Sequence, residues 1–257
     1  MKMNISDFTD EFIKQSEKGN IVVFTGAGMS TASGIKDFRG DNGLYKENVN
    51  AEEILSLTYF KNNPKEFYDF YRNFLIINKD VVPNKAHILL KDLEEAGLIK
   101  GIITQNIDGL DKKAGCKNVI EIHGNGVTFS CPTCHSKYNS DDIISSSSVP
   151  VCTKCNDVLK PDIILYEEML DEYKLMESRE LVNNATTMLV MGSSLVVNPA
   201  ASLVHDFLIN MKFDRTNSKK IFIVNKGSTA YDGFKEIIRY NGNIIDFVDE
   251  FQRRRKK

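Results

Sequence analysis

The residues best suited to chemistry fall into three groups. Cys131-Pro-Thr-Cys134 and Cys152-Thr-Lys-Cys155 are separated by 17 residues, inside the spacing of a zinc ribbon. Each C-x-x-C presents two thiolates from one tight turn, and two turns complete a tetrahedral site with Zn–S bonds of about 2.3 Å. Sulfur in all four positions leaves no place for water, so a single zinc ion held there is structural. A redox pair is the competing reading, although thioredoxin-like pairs come singly. His135 could replace one thiolate, and Cys116 is left over as a core or surface thiol.

The second group is the stretch IVVFTGAGMSTASGIKDFRG at 21–40, in which an apolar run opens onto Gly26 and Gly28. Glycine lets backbone N–H groups approach a phosphate at the start of a helix. The strict dinucleotide pattern has its third glycine three residues after the second, whereas Gly34 comes six after Gly28. A plain turn therefore stands beside nucleotide binding as a reading. The third group is Thr104-Gln-Asn-Ile-Asp-Gly-Leu110 together with His123 in IEIHGN. Taken singly, the first is a possible turn, and an isolated histidine is more often structural than catalytic.

These groups need a scaffold. A chain of 257 residues, 42% hydrophobic and 26% charged with a net charge of −2, buries a full core. Nothing in it marks a polyanion binder, so no nucleic-acid partner is expected. The opening MKMNISDFTDEFIKQ reads as an amphipathic helix, not a leader. No apolar stretch reaches the ~18 residues of a membrane span. A cytoplasmic protein is expected, with the nucleus open, and in that reducing setting thiols hold metal sooner than they form disulfides.

Apolar runs at 21–24, 101–106, 119–124, 162–166, 187–194, 221–225 and 244–248 each read as strands. Helical patterns at 84–96 and 175–182 lie between some of them, so strand and helix alternate as in a doubly wound parallel sheet of about six strands. The fold class is α/β: a Rossmann-like parallel sheet with helices on both faces, plus a small lobe. Residues 41–80 read as a helical module, and 129–158, with the paired cysteines and the run Ser145–Ser148, as a zinc-ribbon module. Residues 1–40, 81–128 and 159–257 then compose the sheet lobe. In such sheets ligands bind beyond the carboxyl ends of the strands, where Gly26, Gly28, Gln105, Asn106, Asp108, His123, Gly192–Ser194 and Asn225 fall.

The segments GAGMSTASGIKDFRG (26–40), TQNIDGL (104–110), IHGN (122–125), the paired C-x-x-C, GSSLVVNPAA (192–201) and VNKG (224–227) together resemble the sirtuin family of NAD-dependent protein deacylases. The resemblance runs in order along nearly the whole chain. It implies that NAD is a co-substrate: an acyl-lysine carbonyl oxygen attacks C1′ of the nicotinamide ribose, nicotinamide leaves, and an alkylimidate gives lysine and O-acyl-ADP-ribose. By the same resemblance His123 is the base for a ribose hydroxyl. Asn106 and Asp108 orient ribose, water and carboxamide, Ile107 lends its backbone, and Gln105 meets a ribose. Gly26, Ala27, Gly28, Asp37, Phe38 and Arg39 match the cofactor loop, Gly192, Ser193 and Ser194 a phosphate and ribose contact, and Asn225 the adenosine end. Helix capping stays open for each serine.

The resemblance further implies that an acyl-lysine peptide or protein passes between two extended segments. These are Tyr166-Glu167-Glu168-Met169, with Ile164 before it, and Val197-Asn198-Pro199. The chain departs from the family pattern at Glu167, where glycine is usual, and the added carboxylate is expected to favour basic flanking residues. Family members preferring succinyl or malonyl groups carry a tyrosine and an arginine three apart, whereas Tyr68 here is followed by Arg72. Acetyl or longer neutral acyl groups are therefore expected. Mono-ADP-ribosyl transfer on the same scaffold is the runner-up, with a non-catalytic NAD sensor third. The basic end, Arg253–Lys257, reads as a solvated tail.

Overall fold

The apolar runs of the sequence are divided between two sheets. In the computed structural model, which describes residues 2–38, 43–47, 50–75, 80–140 and 148–256, the described residues form β1 (Lys2–Met3), β2 (Ile21–Thr25), β3 (Ile99–Thr104), β4 (Val119–Glu121), β5 (Gly124–Ser130), β6 (Lys137–Asn139), β7 (Lys160–Ile163), β8 (Thr187–Met191), β9 (Lys220–Val224) and β10 (Ile237–Tyr240). The large sheet has seven strands in the order β1-β10-β9-β8-β2-β3-β4, all parallel. The small sheet, β6-β5-β7, is antiparallel.

Every residue of β2 and β8 is buried, as continuous apolar strands require when helices cover both faces of a parallel sheet. On one face, helices Ile5–Ser16 and Ile244–Arg255 bring Phe8 and Phe12 each edge-on against Phe222 and Phe247, with ring centroids 5.2–5.6 Å apart. On the other, Leu203, Val204 and Phe207 of helix Ser202–Phe213 pack with Phe24 and Val190. After β2 the chain runs outward through β3 and β4, then restarts on the far side with β8. The order therefore reverses between β2 and β8, which places the ligand crevice there.

The parallel α/β architecture agrees with the sequence reading, and four of its details are corrected. The run at 162–166 is not a strand of the large sheet: β7 pairs antiparallel with β5, because the chain leaves β4 directly into β5 and returns alongside it. The run at 244–248 is helical. Ile244, Phe247, Val248 and Phe251 are its buried positions, a period near 3.6 that a five-residue window reads as a strand. The edge strand β1 (Lys2–Met3) and its neighbour β10 (Ile237–Tyr240) are too short to stand out. The large sheet consequently has seven strands, not about six.

Helices Leu44–Glu47, Ala51–Ile54, Leu57–Asn62 and Pro64–Phe74 share one core with the small sheet. Phe60, Phe67, Tyr68 and Tyr71 pack with Phe129, Leu159, Cys131 and Cys152. Ser145–Ser147 lie outside the described residues.

Helix Lys85–Glu95 starts with Asn84, whose side chain accepts from the Ala86 N–H at 2.9 Å while its own N–H donates to His87 Nδ1 at 3.2 Å. His87 is fully buried. Burial holds its imidazole down at about 4, below the free value of about 6.5. The unfolded chain thus takes that proton more readily, and stability is lost as pH falls from 6.5 toward 4. Asp111 acts in the opposite sense. Burial, then the nearby Asp108 charge, pushes its carboxyl from 3.8 up to about 7, so its contribution is full below the ordinary value and is lost as pH rises through 7. The two slopes nearly cancel between these limits. Asp111→Asn is expected to unmask the histidine: denaturant titrations at pH 6.5 and 4 should show a loss of about 3 kcal/mol in the variant and a far smaller change in the parent protein.

Candidate active site and metal centre

At the carboxyl ends of β2 and β8 two glycine turns press together. The Gly28 N–H donates to Gly192 C=O at 2.9 Å, and the Gly26 N–H to Met191 C=O at 3.0 Å. A Cβ on Gly28 would stand 2.8 Å from Gly192 Cα, and one on Gly192, at φ 68°, would stand 2.4 Å from the Met29 nitrogen. The glycines are therefore needed first for contact between backbones. The two N–H groups expected to face a phosphate are instead committed to the neighbouring loop.

Beneath this contact lies a buried polar group. Asn106 Nδ2 donates to Gly26 C=O at 3.1 Å and to Ser30 Oγ at 3.2 Å. Ser30 Oγ in turn donates to Asp108 Oδ2 at 2.6 Å, while Asp108 Oδ1 accepts from the Leu110 N–H at 2.9 Å. Burial raises the Asp108 carboxyl, and the bonds from Ser30 and Leu110 oppose that. The strand-end Thr104 hydroxyl accepts from Thr25 Oγ1 at 2.8 Å and from the Asn106 N–H at 3.1 Å. Gln105 Oε1 accepts from Ser193 Oγ at 2.7 Å. One network thus ties the ends of β2, β3 and β8 together.

His123 sits where the chain turns from β4 into β5, fixed by a 2.9 Å bond from the Ile164 N–H to its C=O. Its Nδ1 lies 3.2 Å from Gln105 C=O, a contact that assigns the proton to Nδ1 and leaves Nε2 with a lone pair. Burial lowers the imidazole pKa and the Gln105 bond partly restores it.

A cleft of about 1240 Å³ gathers most of the expected residues: Ala27, Gly28, Asp37 and Phe38; Gln105, Asn106, Ile107 and His123; Ile164, Tyr166, Glu167 and Glu168; Gly192, Ser193 and Ser194; Val197, Asn198 and Pro199; and Asn225. Gly26 and Asp108 lie behind the lining and Met169 outside it. Arg39 falls outside the described residues. The expected extended walls are only partly extended. Tyr166 bridges Ser56 and is followed by a turn, while Asn198–Pro199 form a cis peptide within a bend and turn at 197–200.

Sequence reading assigns no role to Ser30, Thr104 or Arg239. The first two are small hydroxyl residues inside longer motifs. Arg239 is buried in β10; it pairs with Asp232 and donates to Thr229 Oγ1 at 3.3 Å and to Gly227 C=O. It holds the loop whose members Gly227–Ala230 line the cleft beside Asn225.

The paired C-x-x-C turns have matching geometry. The Cys131 N–H donates to Ser136 C=O at 2.9 Å and the Cys152 N–H to Asp157 C=O at 2.7 Å, and each turn ends in a left-handed residue, His135 or Asn156. His135 thus serves the turn. The sulfurs of Cys131 and Cys155, and of Cys134 and Cys152, are 3.4 Å apart, and all four lie within 4.8 Å of one another. A tetrahedron with bonds of about 2.3 Å has edges of about 3.8 Å, so the four thiolates fit one structural zinc ion.

Sheet, cleft and cysteine cluster define an α/β protein that joins a Rossmann-like lobe to a zinc-ribbon lobe across a nucleotide-sized crevice. The chain belongs to the Sir2 family, whose model matches residues 26–199. It is similar to the NAD-dependent protein deacetylase of Clostridium perfringens, 43% identical over 246 residues and covering 92% of this chain and 96% of the relative. It is also similar to the NAD-dependent protein deacetylase of Thermotoga maritima, 41% identical over 249 residues with 96% of each covered. Among solved structures, a Sir2 variant with a deacetylated p53 peptide and 3′-O-acetyl ADP-ribose matches with a TM-score of 0.88 at 38% identity over 98% of both chains. Sir2 with a p53 peptide and NAD+ matches with a TM-score of 0.85 at 37% identity, covering 96% of this chain and 98% of that one.

Two outcomes test the site. Gly192→Ala is expected to lower the unfolding free energy by about 3 kcal/mol through left-handed strain and overlap. Gly227→Ala, where a Cβ meets nothing within 4 Å, should change it by under about 1 kcal/mol; urea titration checks both. Elemental analysis should find one zinc per chain, and its removal by chelator should lower the melting temperature by roughly 10 °C.

Proposed function

We propose that this chain is an NAD-dependent protein lysine deacylase, with acetyl-lysine the preferred substrate, releasing nicotinamide and O-acyl-ADP-ribose. The observation that carries the reading is the setting of His123. A partly buried imidazole of lowered pKa, its Nδ1 side engaged by Gln105 C=O, lines the same cleft as both glycine turns. A base must be neutral to act, and burial favours the neutral form of this one. The names of the relatives and the ligands of the neighbouring structures support the same activity.

When bound, NAD supplies an electrophilic ribose carbon with nicotinamide as its leaving group. The chain's own residues hold and orient. In this reading His123 Nε2 accepts the proton of a ribose hydroxyl. Asn106, with Asp108 behind it, orients ribose, water and carboxamide, and their bonds to Gly26 and Ser30 keep the loop that begins at Gly26 in register. Gln105, Ser193 and Ser194 meet ribose and phosphate, Asn225 and the loop held by Arg239 meet the adenosine half, and Asp37, Phe38 and Arg39 cover the reacting face. Ile164, Tyr166–Met169 and Val197–Pro199 flank the acyl-lysine. The zinc ion of the ribbon takes no part in the chemistry.

Acyl choice follows from Tyr68 and Arg72. The buried Tyr68 hydroxyl donates to Leu159 C=O, and the Arg72 guanidinium lies 5.6 Å from the centre of the Tyr68 ring and donates to Ser148 C=O. Neither lines the cleft, so neither grips a carboxylate on the acyl group. No described helix is long and apolar enough to cross a membrane, and four thiols kept for a metal suit a reducing compartment such as the cytoplasm.

The test is mass spectrometry of an acetyl-lysine peptide incubated with NAD and either the parent protein or His123→Ala. The parent should yield deacetylated peptide and O-acetyl-ADP-ribose, and the variant should be at least about 100-fold slower. The acid limb of the kcat/KM profile should fall below the ordinary histidine pKa of about 6.5, because burial keeps the base free at lower pH. A peptide that keeps its acetyl group and gains ADP-ribose would select mono-ADP-ribosyl transfer.

A further inference from the structure

Glu167 has a left-handed backbone, φ 75°, inside a tight turn closed by a 3.1 Å bond from the Glu168 N–H to Leu165 C=O. Glycine adopts that conformation freely, whereas any residue with a Cβ is strained there. The side chain supplies a compensation. Its Oε2 accepts from the Thr58 N–H at 2.9 Å and from Thr58 Oγ1 at 2.7 Å, in the first turn of helix Leu57–Asn62, which Ser56 caps at the adjacent position. These two bonds lower the pKa of the Glu167 carboxyl, so at neutral pH it is an ionised, twice-bonded acceptor.

The same turn is held at two further points. Tyr166 donates to Leu55 C=O at 2.9 Å and accepts from the Leu57 N–H at 3.0 Å. The Glu168 carboxylate accepts from the Leu165 N–H at 2.8 Å and pairs with Lys160 at 2.8 Å. Tyr166, Glu167 and Glu168 all line the cleft. We infer that Glu167 is a positioning residue for the acyl-lysine substrate: by clasping Thr58 it fastens the 165–168 turn to the helical module, so that this wall of the cleft is set before a peptide arrives. The inference rests on the deacylase reading and sharpens it. A pre-set wall spares the ordering cost of binding, so the clasp acts on peptide affinity and not on the chemical step. It also gives the carboxylate a use other than attracting basic flanking residues.

Steady-state kinetics on the zinc-loaded full chain tests this, with an acetyl-lysine peptide varied at saturating NAD and NAD varied at saturating peptide. Glu167→Gly and Thr58→Val should each raise the peptide KM about three- to fivefold, with the loss absent from kcat and from the NAD KM. The double variant should be no worse than either single. Glu167→Gln keeps an acceptor oxygen for Thr58 and should recover most of the affinity. Unchanged peptide KM in both single variants, or additive losses in the double, would overturn the proposal. So would a glutamine variant as weak as the glycine one on basic-flanked peptides alone, which would assign the effect to charge. A parent protein that leaves the peptide acetylated sinks the deacylase reading and this proposal together. A parent that turns over beside unaffected variants sinks the proposal alone.

Discussion

The site depends on one close backbone contact, the 2.9 Å bond between Gly28 N–H and Gly192 C=O at the ends of β2 and β8. These neighbouring strands are where the sheet order reverses, so the loops leaving them diverge and open a crevice. At the crevice floor the loops must nonetheless touch, and no side chain fits between them. The glycines thus set the depth of the crevice. Any nucleotide that enters meets a floor already closed by protein hydrogen bonds.

Beneath that floor the polar residues form a connected network in place of isolated contacts. Asn106 reaches Gly26 and Ser30, Ser30 reaches Asp108, and Thr104 joins Thr25 to Asn106. Such a network holds its members in single rotamers because each unmade bond would leave a buried polar atom unpaired. Its carboxylates are also brought close. Burial and mutual repulsion push Asp111 up to about 7, a position well suited to packing but costly for charge. His87, on helix Lys85–Glu95, carries the reverse burden.

The metal centre reaches the cleft through packing. Cys131 and Cys152 belong to the same buried cluster as Phe67, Tyr71, Ile163 and Leu165, and the last two line the cleft. The zinc ribbon therefore supports one wall of the site by filling a core too small to stand alone. The helical module shares that core and adds Tyr45, whose hydroxyl lies 2.8 Å from that of Tyr166.

By itself the sequence determined the parallel α/β class, the zinc cluster and the identity of most cleft residues. These are written in local terms: apolar runs, C-x-x-C turns and short polar motifs at strand ends. IIDFV misled because five residues cannot separate a helical period from a strand, and DIILY because a run does not state its partner. Only the tertiary structure decided that Gly26 and Gly28 serve Gly192, that Asp108 stands behind the cleft wall, and that Glu167 faces Thr58. It alone brought Arg239 to the loop beside Asn225. Each of those facts joins residues far apart in the chain, and a hydrogen bond or a van der Waals contact depends on distance in space, which no local pattern carries.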